Sequence, residues 1–126
     1  MHRLLAPAAL AALVVPSMSA CASSEGEGKT ASIAVTATDT TCQLSRTDAA
    51  AGAVSFVFTN NGSTMNEFYV FGAGDTILGE AEDVGPGLSR TLTVTFDKPG
   101  SYETACKPGA TGEGIRADFT VTAATS

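Results

Sequence analysis

The stretch "LSRTLTVTF", Leu88 to Phe96, constrains the fold more than any other part of the chain. Leu92, Val94 and Phe96 alternate with Thr91, Thr93 and Thr95, and a strict period of two is the mark of a half-buried β-strand. The same period recurs elsewhere. In "SIAVTAT" Ile33, Val35 and Ala37 share one face; in "AVSFVFTN" Val54, Phe56 and Phe58 do; in "IRADFTVT" Ile115, Ala117, Phe119 and Val121 do. "EFYVF" (67–71) and "GSYETAC" (100–106) are strand-like with less clean alternation.

Turn formers separate these runs: Asn60-Asn61-Gly62-Ser63, Gly72-Ala73-Gly74-Asp75, Gly85-Pro86-Gly87 and Asp97-Lys98-Pro99-Gly100. No segment holds a helical period over ten residues. Six to eight short strands with regular turns predict an all-β, antiparallel Greek-key β-sandwich. The asparagine–glycine–serine run at 61–63 fits a glycosylation sequon and is read as a turn.

The N-terminus has a different character. Arg3 precedes the apolar run "LLAPAALAALVV", Leu4 to Val15, and small residues lead to Cys21. Twelve apolar residues are too few for a stable bilayer span, so the run reads as a secretory signal. Met18-Ser19-Ala20-Cys21 resembles the lipobox of bacterial lipoproteins, in which the cysteine becomes the lipid-bearing N-terminus. The expected organisation is a lipoprotein signal peptide over 1–20, a flexible Gly/Ser/Glu-rich tether over 21–30 and one domain over 31–126. Lipidation at Cys21 places the domain on the outer face of the cell membrane, with the membrane as its first partner. An ordinary secretory cleavage near Ala20 is the alternative.

Charge and residue inventory narrow the function. All thirteen acidic residues follow Cys21, against six basic ones once Arg3 is removed, so the mature chain is near −7. It has no basic stripe, which argues against nucleic-acid binding. The one histidine is His2, inside the signal. Without imidazole, a nucleophile elbow, a phosphate-cradling loop or a clear acid pair, the chain is not expected to be an enzyme. A type 1 copper centre, which needs two histidines and a cysteine, is excluded on the same ground. Glu67 stands where a histidine would be expected after a turn and an asparagine.

Two readings of Cys42 and Cys106 remain open. Exported thiols tend to oxidise, and a bridge between them would close a loop of about 65 residues, worth about 4 kcal/mol in the chain-entropy model. Alternatively, both are thiolate ligands for a soft or borderline metal. Among the carboxylates, Glu67 opens an apolar strand, Asp39 and Glu103 lie near the cysteines in sequence, and Glu80, Glu82 and Asp83 form an acidic patch before a turn. Met65 is a further soft donor beside Glu67.

Spaced motifs then carry a family resemblance. Thr38-Asp39-x-x-Cys42, "VSFVFTNNG", Glu67 opening a strand, "EDVGPGLS" and Pro99-Gly-x-Tyr-Glu-x-x-Cys106 follow one another in order over residues 31–123. This pattern resembles the EfeO-type cupredoxin-like domain of bacterial iron-uptake systems, in a stand-alone lipoprotein form. Full-length members continue into a large helical peptidase-like domain, whereas this sequence ends at Ser126. The resemblance implies a cupredoxin-like sandwich that binds copper or iron in support of iron import, alongside an iron-transport permease or peroxidase. It carries Cys42, Glu67 and Cys106 over as metal ligands, with Glu82 and Glu103 as secondary candidates. The competing expectation is a disulfide-stabilised β-sandwich that acts as an interaction module and binds no metal.

Overall fold

The structure is a computed structural model describing residues 30–125, so the signal run Leu4–Val15, Cys21 and the tether up to Lys29 lie outside the described residues. Nine strands are present in chain order: β1 (Ala31–Ala37), β2 (Cys42–Leu44), β3 (Asp48–Ala50), β4 (Gly52–Asn60), β5 (Asn66–Phe71), β6 (Ile77–Val84), β7 (Ser89–Phe96), β8 (Gly100–Cys106) and β9 (Ile115–Thr122). Two short 3₁₀ turns, Ala73–Asp75 and Pro108–Ala110, complete the regular structure, and the described residues contain no α-helix.

The strands form two sheets, one ordered β2-β1-β4-β7 and the other β3-β9-β8-β5-β6. After the β1–β2 hairpin the chain crosses to the second sheet for β3 and returns for β4. That excursion makes β1–β4 and β3–β9 parallel pairs, so the sandwich is mixed and not purely antiparallel as expected. The count exceeds the expected range because β2 and β3 are only three residues long, too short to display a period.

The inward residues are those that the alternation selects. Ile33, Val35 and Ala37 of β1 and Val54, Phe56 and Phe58 of β4 are fully buried, while Ser32, Ala34 and Thr36 face solvent. Burying each large apolar side chain stabilises the fold by about 1.5–3 kcal/mol. Phe56 stands at the centre, with ring centroids 5.3 Å from Phe68, 5.5 Å from Phe119 and 6.5 Å from Phe96. Its partners come from both sheets, so one ring couples the two layers.

β5 departs from alternation because both of its faces are covered: all six residues are buried. Inward, Phe68 and Val70 join the main core. Outward, Tyr69 and Phe71 stack on each other and form a smaller cluster with Ala105. β6 was not anticipated as a strand, since its acidic content and exposed Ile77 and Leu78 disguise it. Gly79 lets it lie across β7: a Cβ there would meet Val94 Cγ2 at 2.8 Å.

Replacing Phe56 by Ala should cost about 3–5 kcal/mol, since one cavity opens against both sheets. Urea unfolding with the disulfide intact measures it; a loss under about 1 kcal/mol would deny the ring its coupling role.

Candidate functional site

Most of the sequence-derived candidates lie at the end of the sandwich where β1, β4, β5 and β8 meet their loops, whereas Glu103, in register with Phe71, lies toward the far end of β5. Polar contacts hold this end together. Asn60, fully buried, donates through Nδ2 to the carbonyls of Thr64 and Val84 at 2.8 Å each and accepts from the Gly62 N–H at 2.9 Å. A buried amide so fully partnered fixes the 61–65 loop and the end of β6 in one arrangement. Asp39 closes the loop from the other side, accepting from the Ser63 backbone at 2.8 Å and the Ser63 hydroxyl at 2.6 Å. Those bonds hold the exposed Asp39 carboxyl below its usual range. Gly62 is required there, since a Cβ would sit 2.5 Å from Asp39 Oδ1.

Cys42 and Cys106 are joined. Their sulfurs form a disulfide across a Cα–Cα distance of 5.7 Å, linking β2 of the first sheet to the end of β8 in the second. Cys106 is fully buried in the main core and Cys42 packs against it half-buried. In this oxidised form neither sulfur is a thiolate, and the thiolate is the species that ligates metals.

Glu67 lies on the other side of the sheet. Phe68 is the residue in register with Cys106, so the neighbouring Glu67 projects to the opposite face. Its carboxylate accepts a 2.9 Å hydrogen bond from the Tyr69 hydroxyl, and Glu82 stands 3.4 Å from the same hydroxyl. The Lys107 ammonium covers the Tyr69 ring at 4.3 Å from its centroid. Glu103 projects outward from β8 and pairs with Arg116, which also meets Asp75 at 3.1 Å and lies over the Phe71 ring. The candidates thus separate into a sulfur pair inside and a carboxylate–tyrosine group outside. Among the described residues no cluster of three or more His, Cys, Asp or Glu side chains is placed to hold a metal ion. Met65 is exposed in the loop before β5, and its carbonyl accepts from the Gly109 N–H.

Tyr69 is the residue that sequence reasoning missed. Burial first, then the hydrogen bond and charge of Glu67, then the charges of Glu82 and Glu80, push its phenol well above its ordinary value near 10. The visible signal is the unbroken run "FYVF" (68–71) after Glu67, which leaves no polar alternate face for the tyrosine to occupy.

The donor set for a type 1 copper centre does not fit: residues 30–125 contain no histidine, and Cys106 is bridged.

Two outcomes follow for this end of the molecule. Reducing the bridge, or replacing Cys42 by Ser, should lower stability by about 4 kcal/mol, the loop-closure entropy the bridge removes from the unfolded chain; guanidinium unfolding with and without reductant reads it directly. Tyr69 gives a pH signature. The folded state keeps the phenol protonated where the unfolded chain has lost the proton, so this stabilisation is complete below about pH 10 and declines as pH rises beyond it. Phenolate absorbance should therefore lag in the native protein relative to the denatured one, and Tyr69→Phe should abolish that lag.

The family described as the cupredoxin-like domain matches residues 8–121. No curated protein matches the chain. Among solved structures, reduced auracyanin from the photosynthetic bacterium Roseiflexus castenholzii shares the fold with a TM-score of 0.59 and 18% identity over 75% of this chain and 99% of its own. Auracyanin A, a "blue" copper protein from Chloroflexus aurantiacus, follows at 0.56 and 15% identity, over 75% and 100% of the two chains. An azurin from Methylomonas sp. strain J has a TM-score of 0.56 at 12% identity, over 75% and 99%. At these identities the likeness is one of fold.

Proposed function

Because the chain belongs to the cupredoxin-like domain family, we propose that it is an extracytoplasmic, lipid-tethered member whose resting form is a disulfide-closed interaction module. The observation that carries this reading is the Cys42–Cys106 bridge. It consumes the sulfur pair as an inter-sheet staple and leaves loops and outward faces as the parts open to a partner. Lipidation at Cys21 anchors the module to the outer face of the cell membrane, with residues 21–30 as a spacer. The partners in view are an iron-transport permease or peroxidase, through the resemblance to the EfeO-type domain. The domain works without electron transfer and without enzymatic chemistry of its own.

A second reading is supported by the same family membership and by the copper named in one structural neighbour. Exchange with a dithiol reductant, which leaves as its own disulfide, would convert the bridge to two thiols, whose thiolates are soft donors suited to Cu(I). Glu67, with Glu82 and Glu103 as secondary donors, faces away from those sulfurs. A copper or iron site built from Cys42, Cys106 and Glu67 therefore requires the Tyr69 hydrogen bond to break and this end of the sheet to rearrange.

Thiol counting on protein isolated from its native envelope, under alkylating conditions, separates the two. The proposed resting form leaves Cys42 and Cys106 unmodified until reductant is added, and dialysed protein retains no stoichiometric copper or iron. Free thiols in the isolated protein, with metal retained and then lost in Cys106→Ser and Glu67→Gln, would establish the metal-binding reading instead.

A further inference from the structure

The run Asn61-Gly62-Ser63 forms the turn after β4, and nothing in the role of the bridge uses it. Asparagine followed by glycine carries a chemistry of its own. The backbone nitrogen can attack the preceding side-chain amide, and glycine, with no Cβ, leaves that approach unhindered. The chain has three asparagines, Asn60, Asn61 and Asn66, and only Asn61 precedes a glycine. Asn60 and Asn66 are fully buried, whereas Asn61 is exposed.

The fold restrains the reacting groups. The Gly62 N–H, whose nitrogen would be the nucleophile, donates to Asn60 Oδ1 at 2.9 Å. The Asn61 N–H donates to the Ala37 carbonyl at 2.7 Å, and the Ser63 N–H donates to Asp39 Oδ1 at 2.8 Å. Three consecutive amides are thus tied to three different partners. The Gly62 nitrogen cannot turn onto the Asn61 side chain until these bonds open, and such local opening costs free energy.

The product of the attack does not fit the closed loop. A Cβ at Gly62 would sit 2.5 Å from Asp39 Oδ1 and 3.1 Å from Asn60 Oδ1, so there is no spare room. An isoaspartyl link lengthens the main chain by one methylene immediately before this point and adds a carboxylate. Asp39, whose carboxyl the Ser63 bonds hold below its usual range, is ionised there and repels the new charge.

We propose that Asn61 is a deamidation site gated by the 61–65 loop, and that its conversion unlatches this end of the sandwich. When the loop opens, the Gly62 nitrogen bonds to Asn61 Cγ and gives its proton to water, while the side-chain nitrogen leaves as ammonia. The result is a cyclic succinimide. Water then adds to one of the two ring carbonyls and that carbon–nitrogen bond breaks, leaving aspartate or isoaspartate at position 61. In sum, one amide and one water give one carboxylate and one ammonium, with no oxidant or cofactor. The inference is independent of whether the cysteines ever bind a metal.

The test follows position 61 by peptide mapping and mass spectrometry on the full chain, bridge intact, at mildly alkaline pH. A parallel sample is unfolded in guanidinium. The unfolded chain is expected to convert at Asn61 ahead of Asn60 and Asn66, and the native chain to convert there on the order of tenfold more slowly. Asp39→Ala, which removes both contacts to Ser63, should raise the native rate toward the unfolded one. In the purified isoaspartate form, hydrogen exchange at the Gly62 and Ser63 amides should be about tenfold faster than in the native chain. Equal rates in the native and unfolded chains overturn the gate, and an unfolded chain that does not convert at Asn61 overturns the site. Unchanged protection of Gly62 and Ser63 after conversion overturns the unlatching. The natural chain supplies each of these comparisons, so a misfolded Asp39→Ala leaves the test intact.

Discussion

The bond between Cys42 and Cys106 ties one sheet to the other at the end where the loops converge, and much else at this end is arranged around it. β2 is only three residues long and could not hold its place by ladder hydrogen bonds alone. The bridge anchors it to β8, whose last residue lies in the core beside the phenylalanines. The loops nearby are fixed by polar contacts of the same kind of economy: Asn60 spans two carbonyls, Asp39 grips Ser63, and Gly62 leaves the room between them. The consequence is chemical as well as mechanical. A sulfur that closes a sandwich is not a thiolate, so the residue most suggestive of a metal in this fold is committed to structure in the oxidised chain.

The sheet that carries Cys106 has two working faces. Its inner face joins the aromatic core around Phe56. Its outer face is covered not by another element but by side chains, with Lys107 over Tyr69 and Arg116 over Phe71. Cations on ring faces shield this strip from water while leaving the carboxylates of Glu67, Glu80 and Glu82 around the tyrosine. The opposite outer surface of the sandwich is a neutral field of serine and threonine.

Much of this was legible from single residues. The alternation at Ile33–Ala37, Val54–Phe58 and Leu92–Phe96 identifies the inward face of three strands, since a period of two leaves only one register that buries the apolar set. β6 was not legible, because Glu80, Glu82 and Asp83 look like a solvated patch and Gly79 looks like a breaker. Its strand character comes from pairing with β5, a contact that local propensity does not encode. The run "EFYVF" alternates imperfectly, and the imperfection is the information: a strand covered on both sides has no reason to alternate.

Taken alone, the sequence determined a two-layer β-sandwich, the residues that point inward, and the absence of imidazole from residues 30–125. Each follows from period, turn chemistry or simple inventory, which are local properties of a chain. The tertiary structure decided which distant residues meet. It joins cysteines 64 positions apart, and it sets Glu67 one residue beyond the register position of Cys106, which sends the carboxylate to the far face of the sheet. The reason is that alternation tells a side chain which face it belongs to, whereas pairing register, set by the whole fold, tells it what it will touch.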